Sequence, residues 1–421
     1  MTNKRQKIGF TYFSSKTQMV DQQVRTWIPT LKGLGASFVI IPADFELAIP
    51  EDVFICAIDN ELEPVVHFTT ALPSPRSFNE TALLLDVYRK WGVKYVILGD
   101  KPNTKNAWPI AGWYYETLVE SFLDRFIPLA YHAVRIGFNP ALAPLQPGGD
   151  YWDSAFLELL LLGLKRRKMD NILDSLTLTS YGYTFNKPLS WGEGGPERWP
   201  MSKPYQTLED QEDQLGFHNF EWVQAVGQRV TGEQMPVIII DAGRPKTIID
   251  GLRVEMTLEA IKQIVKACLN EKDKDCEDSN RSPVFNDLVL SCAFSLDTLN
   301  ILLGNQLSKG ALENIFGSGI NKSLNGISPS AEQKYLAHYL LLPSYPSGVS
   351  DVVLNKVRPF IKKLRPTVGF SLTEASNAEK VSVFPDSFLF KDEQIDKLRA
   401  AGCQVEILPE SGIEIATLLH G

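Results

Sequence analysis

Lys94-Tyr95-Val96-Ile97-Leu98-Gly99-Asp100-Lys101-Pro102-Asn103 reads as a short strand that ends in a polar knot. Aromatic and β-branched residues fill the run, and Gly, Pro and Asn break it. Comparable runs recur along the chain: Ile8 to Phe13, Ser37 to Pro42, Pro64 to Thr69, Tyr95 to Leu98, Phe138 to Leu145, Leu176 to Tyr181, Val237 to Ile240 and Leu288 to Phe294. Amphipathic stretches separate them at 20–34, 50–62, 79–91, 114–136, 151–173, 215–230 and 257–269, with a looser eighth between 299 and 315. Alternation of this kind is the signature of βα units around a parallel sheet. A doubly wound open sheet would alternate in the same way, so the count of eight decides. It predicts an α/β fold, a TIM (β/α)8 barrel over residues 1–330.

A second segment, residues 331–421, reads as a small C-terminal α/β domain. Its strands are His338 to Leu342, Thr367 to Phe370, Val381 to Phe384 and Gln404 to Leu408, with helices at Val349 to Leu364, Leu372 to Ala378 and Asp392 to Ala401. Ser371 and Glu374 form a capping box, and Gly402 sits at a helix stop. No dinucleotide or phosphate-loop pattern occurs in it. The expected role is bracing, or contact with a protein partner.

The 421 residues are 44% hydrophobic and 22% charged, ordinary values for globular chains. A net charge of -8 without a basic stripe disfavours nucleic acid as a partner. The one basic run, Lys165 to Lys168, follows an apolar helix and complements its dipole. Five scattered cysteines show no metal spacing and fit a reducing compartment. No targeting segment or membrane span is read, so a cytoplasmic location is expected.

Active sites of TIM barrels are built at the C-terminal ends of the strands. The candidates there are Asp44 after strand two, His67 in strand three, Asp100 and Lys101 after strand four, and Tyr181 and Tyr183 after strand six. Asp241 and Arg244 follow strand seven, and Asp297 follows strand eight. Trp108, Trp113, Trp191 and Trp199 lie in adjoining loops, the last two in a long segment from Phe185 to Gln214. Loops of this length are commonly functional, and aromatic faces with polar rims suit sugar rings. No nucleophile triad, metal cluster or phosphate loop is present, and neither cofactor nor metal is expected.

The strand-four knot resembles the Asn-Glu-Pro motif of clan A of the glycoside hydrolases, retaining enzymes on a (β/α)8 barrel. Asp100 stands where that Asn would be, and Lys101 where the acid/base Glu would be. Pro236-Val237-Ile238-Ile239-Ile240-Asp241-Ala242-Gly243-Arg244 resembles the strand that carries the clan's nucleophile, with the shorter Asp241 in its place. Ser180-Tyr181-Gly182-Tyr183 resembles the aromatic position that orients it. The resemblance spans roughly residues 8 to 300 and implies a barrel degenerate at its acid/base, because an ammonium ion cannot protonate a leaving oxygen as a raised-pKa carboxyl does. Lys101 and Asp241 would then face each other across the barrel mouth, where a salt bridge that keeps Asp241 ionised is expected.

The resulting expectation is a non-catalytic protein that binds an oligosaccharide or serves as a scaffold. One alternative is an active hydrolase with Asp241 as nucleophile and Asp100 or Glu193 as acid. Another is a structural barrel with a plugged mouth. His67 reads as a hydrogen-bonded barrel residue and Asp44 as a helix cap, with ligand contact as the other reading of each.

Overall fold

The structure, a computed structural model, describes residues 6–15, 19, 21–45, 48–70, 72, 78–108, 117–245, 251–269, 285–317, 336–343, 351–364, 366–369, 372–376, 378–385, 390, 392–412 and 414–415. The chain divides into two compact units, Met1–Ser323 and Leu324–Gly421. In the first, eight strands run parallel: β1 (Ile8–Thr11), β2 (Phe38–Ala43), β3 (Glu63–Phe68), β4 (Tyr95–Leu98), β5 (Asn139–Leu142), β6 (Leu178–Tyr181), β7 (Val237–Ile240) and β8 (Val289–Ser295). Their order is β5-β4-β3-β2-β1-β8-β7-β6, which sets the first strand beside the last. The remaining seam is joined by a parallel bridge between Ala141 and Thr177, where Thr177 N donates to Pro140 O and Leu142 N to Thr177 O. An open doubly wound sheet has no such closure, and the eight strands form a TIM barrel.

Helices Asp21–Gly33, Glu51–Asp59, Phe78–Lys90, Leu118–Arg135, Asp153–Arg166, Asn219–Thr231 and Gly251–Cys268 lie between successive strands. The loose eighth stretch resolves into two short helices, Leu296–Leu302 and Lys309–Phe316. Ser295 and Ser308 cap them, each accepting a backbone N–H through its hydroxyl.

The barrel strands are buried on both faces, and this explains their continuous apolar runs. In β7, Val237 and Ile239 pack against the helix layer, whereas Ile238 and Ile240 point into the barrel. The interior is filled by Phe38, Ile40, Val65, Ile97, Ala141 and Ala293, with Tyr181 and Tyr183 above them. Gly9 of β1 shares this space, and a Cβ there would lie 2.2 Å from Ser291 Oγ.

In the second unit, β9 (Leu336–Leu341), β10 (Thr367–Gly369), β11 (Ala378–Val383) and β12 (Gln404–Ile407) form a parallel sheet in the order β10-β9-β11-β12. One apolar cluster joins Tyr339 and Leu341 to Ala375 and Leu398; the other joins Leu340 and Leu342 to Val357 and Phe360. Helices therefore cover both sheet faces. Gly402 has φ +80° just beyond helix Asp392–Ala400, a conformation a side chain would strain. The capping box Ser371–Glu374 lies outside the described residues, because Ser371 and the Glu374 side chain do.

The tight interior at Gly9 gives a direct test of the barrel packing. Gly9→Val should destabilise the protein by about 2 kcal/mol or more through overpacking, read as a lower urea midpoint. An unchanged midpoint would contradict a filled barrel.

Candidate functional site

Parallel strands bring all eight C-terminal ends to one side, so Asp100 and Lys101 after β4 share a mouth with Asp241 and Arg244 after β7. Both strand ends leave extended geometry abruptly. Gly99 has φ +91° and Lys101 +46°, while Asp241 has φ +51° and Gly243 +80°. A non-glycine residue in the left-handed region is strained by roughly 1–2 kcal/mol, and surrounding hydrogen bonds must hold it there. After β4, Lys101 N donates to Pro144 O at 2.9 Å, and Thr104 donates to Lys101 O through both N and Oγ1. Buried Asn103 clamps the same loop: its Nδ2 donates to Gln146 O and Tyr151 O, and its Oδ1 accepts from Gln146 N. After β7, Ala242 N donates to Ala293 O and Gly243 N to Gly182 O.

Within this frame the side chains meet. Tyr181 donates its hydroxyl to Asp100 Oδ1. His67 Nε2 lies 3.3 Å from Gly99 O and 4.0 Å from Asp100 Oδ1. Lys101 Nζ stands 3.8 Å from Asp100 Oδ2 and 4.8 Å from the Tyr181 ring centre. The Tyr181 and Tyr183 rings stack at 4.6 Å with 23° between planes. Arg244 Nη1 donates to Asp241 Oδ2 at 3.0 Å, and its guanidinium lies 5.6 Å from the Tyr183 ring centre.

This pairing corrects the expected Lys101–Asp241 salt bridge. Each cation instead pairs with the carboxylate that leaves its own strand. The expected direction at Asp241 is corrected too. Burial raises its pKa, and Arg244, Lys101 and His67 oppose that rise without overcoming it. Burial also lowers His67, whose ring is then neutral at pH 7 and donates Nε2–H to Gly99 O. Tyr181 is raised well above the ordinary phenol range by burial and then by the charges of Asp100 and Asp241. It remains a proton donor.

The other candidates serve the walls. Asp44 follows β2, and its charge helps raise the buried Tyr88 phenol of the outer helix layer, after the larger effect of burial. Asp297 Oδ2 accepts from Ser14 N and Oγ, tying the β1 and β8 ends together. Trp108 is buried, its Nε1 donates to Pro102 O, and Arg125 lies over its ring. Trp113 lies outside the described residues. Trp191 and Trp199 are half-buried, with indole N–H groups donated to Asp213 Oδ1 and Glu193 O. Lys187 Nζ sits 3.7 Å from the Trp191 ring centre, and Arg198 lies 5.2 Å from that of Trp199.

The long loop is thus fastened rather than loose. Asp213, which sequence reasoning passed over, accepts from Trp191, Lys187 and Leu215 N through Oδ1 and from Thr207 through Oδ2. Beside it, Gln214 donates to Asp153 Oδ1, which also accepts from Gly148 N. Asp153 opens helix Asp153–Arg166 and is fully enclosed. Burial pushes its pKa up to about 6 against these hydrogen bonds. Among the described residues no group of His, Cys, Asp and Glu side chains could hold a metal ion. None of their helices is long and apolar enough to cross a membrane.

No protein-family model matches the sequence, and no curated protein is significantly similar to it. Among solved structures, a D-allulose 3-epimerase from Methylomonas sp. superposes with TM-score 0.38 and 15% identity, over 75% of this chain and 95% of that one. A GH5 cellulase from an Icelandic hot spring isolate gives 0.40 and 12%, over 69% and 76%. A monomeric beta-xylosidase from Caulobacter crescentus CB15 gives 0.39 and 11%, over 68% and 62%. Likenesses at this level carry no argument about activity, and the barrel rests on its own strand order and closure.

The buried Asp153 makes loop anchoring depend on pH. Its folded pKa lies above the ordinary aspartate value of 3.8, so the folded state holds the proton more tightly and loses stability as pH rises from about 4 to 6. The unfolding free energy of the native protein relative to Asp153→Asn should fall by about 3 kcal/mol across that window. Urea titrations of both proteins from pH 4 to 7 measure it. A difference independent of pH would show that folding leaves the Asp153 pKa unshifted.

Proposed function

We propose that the barrel mouth is a carbohydrate-binding site that does not hydrolyse glycosides. The supporting observation is the commitment of its two carboxylates: Asp100 accepts from Tyr181 and adjoins Lys101, and Asp241 accepts from Arg244. Retaining hydrolysis requires one carboxylate ready to attack and one carboxyl ready to protonate, about 5 Å apart. A buried aspartate of raised pKa is a poor nucleophile, and the resemblance sets the Lys101 ammonium where the proton donor should be. Hydroxyl-rich ligands instead match alternating donors and acceptors beside stacked rings. Half-buried Trp191 and Trp199 lie on the loop after β6 and are natural reporters of binding there.

A second reading is a structural barrel with a closed mouth, favoured by the burial of both Tyr181 and Tyr183. In either reading the unit Leu324–Gly421 is an interaction module for a protein partner.

Titration with cellotriose, xylotriose and mannotriose, followed by calorimetry and tryptophan fluorescence, separates these readings. The expected result is saturable binding at about 0.1–1 mM for at least one glycan, weakened roughly tenfold by Asp100→Asn. Aryl β-glycosides should remain intact with the native protein and with Lys101→Glu. Turnover by the native protein that Asp241→Asn abolishes would overturn the non-hydrolytic reading. No saturable response to any glycan would favour the structural barrel.

A further inference from the structure

We infer that the mouth takes an anionic carbohydrate, a sugar bearing a carboxylate or phosphate group, with the anion on Lys101 and Arg244 and the hydroxyls on Asp100 and Asp241. This rests on the carbohydrate-binding reading above and names the class of sugar.

Hydrogen-bonding capacity at the mouth is unevenly used. Arg244 has five N–H donors in a planar fork, and among the described residues it donates one, to Asp241 Oδ2. Its side chain is 46% exposed. Lys101 Nζ stands 3.8 Å from Asp100 Oδ2, beyond hydrogen-bond distance, so its three donors make no hydrogen bond among the described residues. Its side chain is 31% exposed. Each cation rests against one member of a stacked pair of rings, Lys101 on Tyr181 and Arg244 on Tyr183, and both act on Asp241. Two cations whose donors are largely unused among the described residues therefore border the stacked Tyr181–Tyr183 pair.

The acceptors left over are fewer and of a different kind. Asp100 Oδ1 is taken by Tyr181 and Asp241 Oδ2 by Arg244. Asp100 Oδ2 and Asp241 Oδ1 accept no hydrogen bond from the described residues. They are suited to receive sugar hydroxyls, which donate. A neutral sugar would satisfy those two oxygens but leave the guanidinium fork and the ammonium with single hydroxyl acceptors. A carboxylate or phosphate matches the fork in bidentate fashion and binds the ammonium as a point charge. Burial presses Asp241 toward its neutral form, which lowers the repulsion an incoming anion meets.

Three hexoses that share a ring and differ only at C6 provide the test: glucose, glucuronate and glucose 6-phosphate, with the galactose series as a second ring configuration. Binding is measured by calorimetry and saturation-transfer NMR at low and high salt. A charged member should bind at least about tenfold more tightly than its neutral parent, with affinity falling as salt rises. Carboxylate and phosphate are told apart by which of the two charged members binds better. Arg244→Gln and Lys101→Gln should each abolish the preference, while Arg229→Gln, which removes a cation paired with Glu158 on the outer helices, should not. Arg244→Lys keeps the charge but loses the fork, and should retain only part of the preference. Melting curves confirm that each variant folds.

Equal affinity for neutral and charged members would overturn the inference and leave carbohydrate binding intact. A preference for the charged sugars that survives both substitutions would overturn it by moving the anion elsewhere. Absence of saturable binding by every sugar, including the neutral trisaccharides, would overturn this inference and the reading beneath it together.

Discussion

The hydrogen bond from Tyr181 to Asp100 joins the ends of β6 and β4 across β5, and the rest of the mouth is arranged around it. A buried phenol without a partner would cost about 1–3 kcal/mol, as would a carboxylate sunk without a donor. Each removes the other's penalty. With Asp100 held beneath the rim, the next residue must turn away, and Lys101 does so at φ +46°, which sets its ammonium against the ring that Asp100 binds. Tyr181 stacks on Tyr183, Tyr183 meets Arg244, and Arg244 reaches Asp241. One continuous path of contacts therefore runs from β4 to β7.

The barrel was legible because each strand must be apolar on both faces and each helix on one, two periods that cannot be confused over eight repeats. Its closure was not. That β1 pairs with β8, and β5 with β6 through Thr177, depends on contacts between residues far apart in sequence. The same limit applied at the site. Because the strands are parallel, their order alone brings Asp100, Lys101, Tyr181, Asp241 and Arg244 to one end. Which side chain meets which could not follow, since the alternation of side chains stops where Lys101 and Asp241 adopt left-handed backbone.

Asn103 shows a second kind of illegibility. It stands in the very stretch that marks β4, where it reads as a chain breaker, yet it is wholly buried and bonded to Gln146 and Tyr151. Asp213 and Asp153 behave alike, as acceptors for backbone and indole groups around the long loop. Such roles have no local signature, because an Asn or Asp that satisfies distant donors is spelled like one that faces water. The indole N–H partners of the tryptophans were illegible for the complementary reason. Nothing local in the sequence names their acceptors, yet Trp108, Trp191 and Trp199 all donate their indole N–H groups within the protein.

The backbone itself argues that the two strand ends are more than terminations. Each carries a pair of left-handed residues two positions apart, Gly99 with Lys101 and Asp241 with Gly243. Glycine adopts this conformation without steric cost, and a second glycine at position 101 or 241 would relieve the strain. Instead a charged side chain occupies the strained member at both ends. Stability alone does not favour that choice, because strain and partial burial of charge both oppose folding. What it gains is placement: the left-handed turn directs Lys101 toward Tyr181 and leaves Asp241 in reach of Arg244 three residues later. Strain of this kind is held by the hydrogen bonds to Pro144, Thr104, Gly182 and Ala293, and it sets both charges where extended strands would not put them.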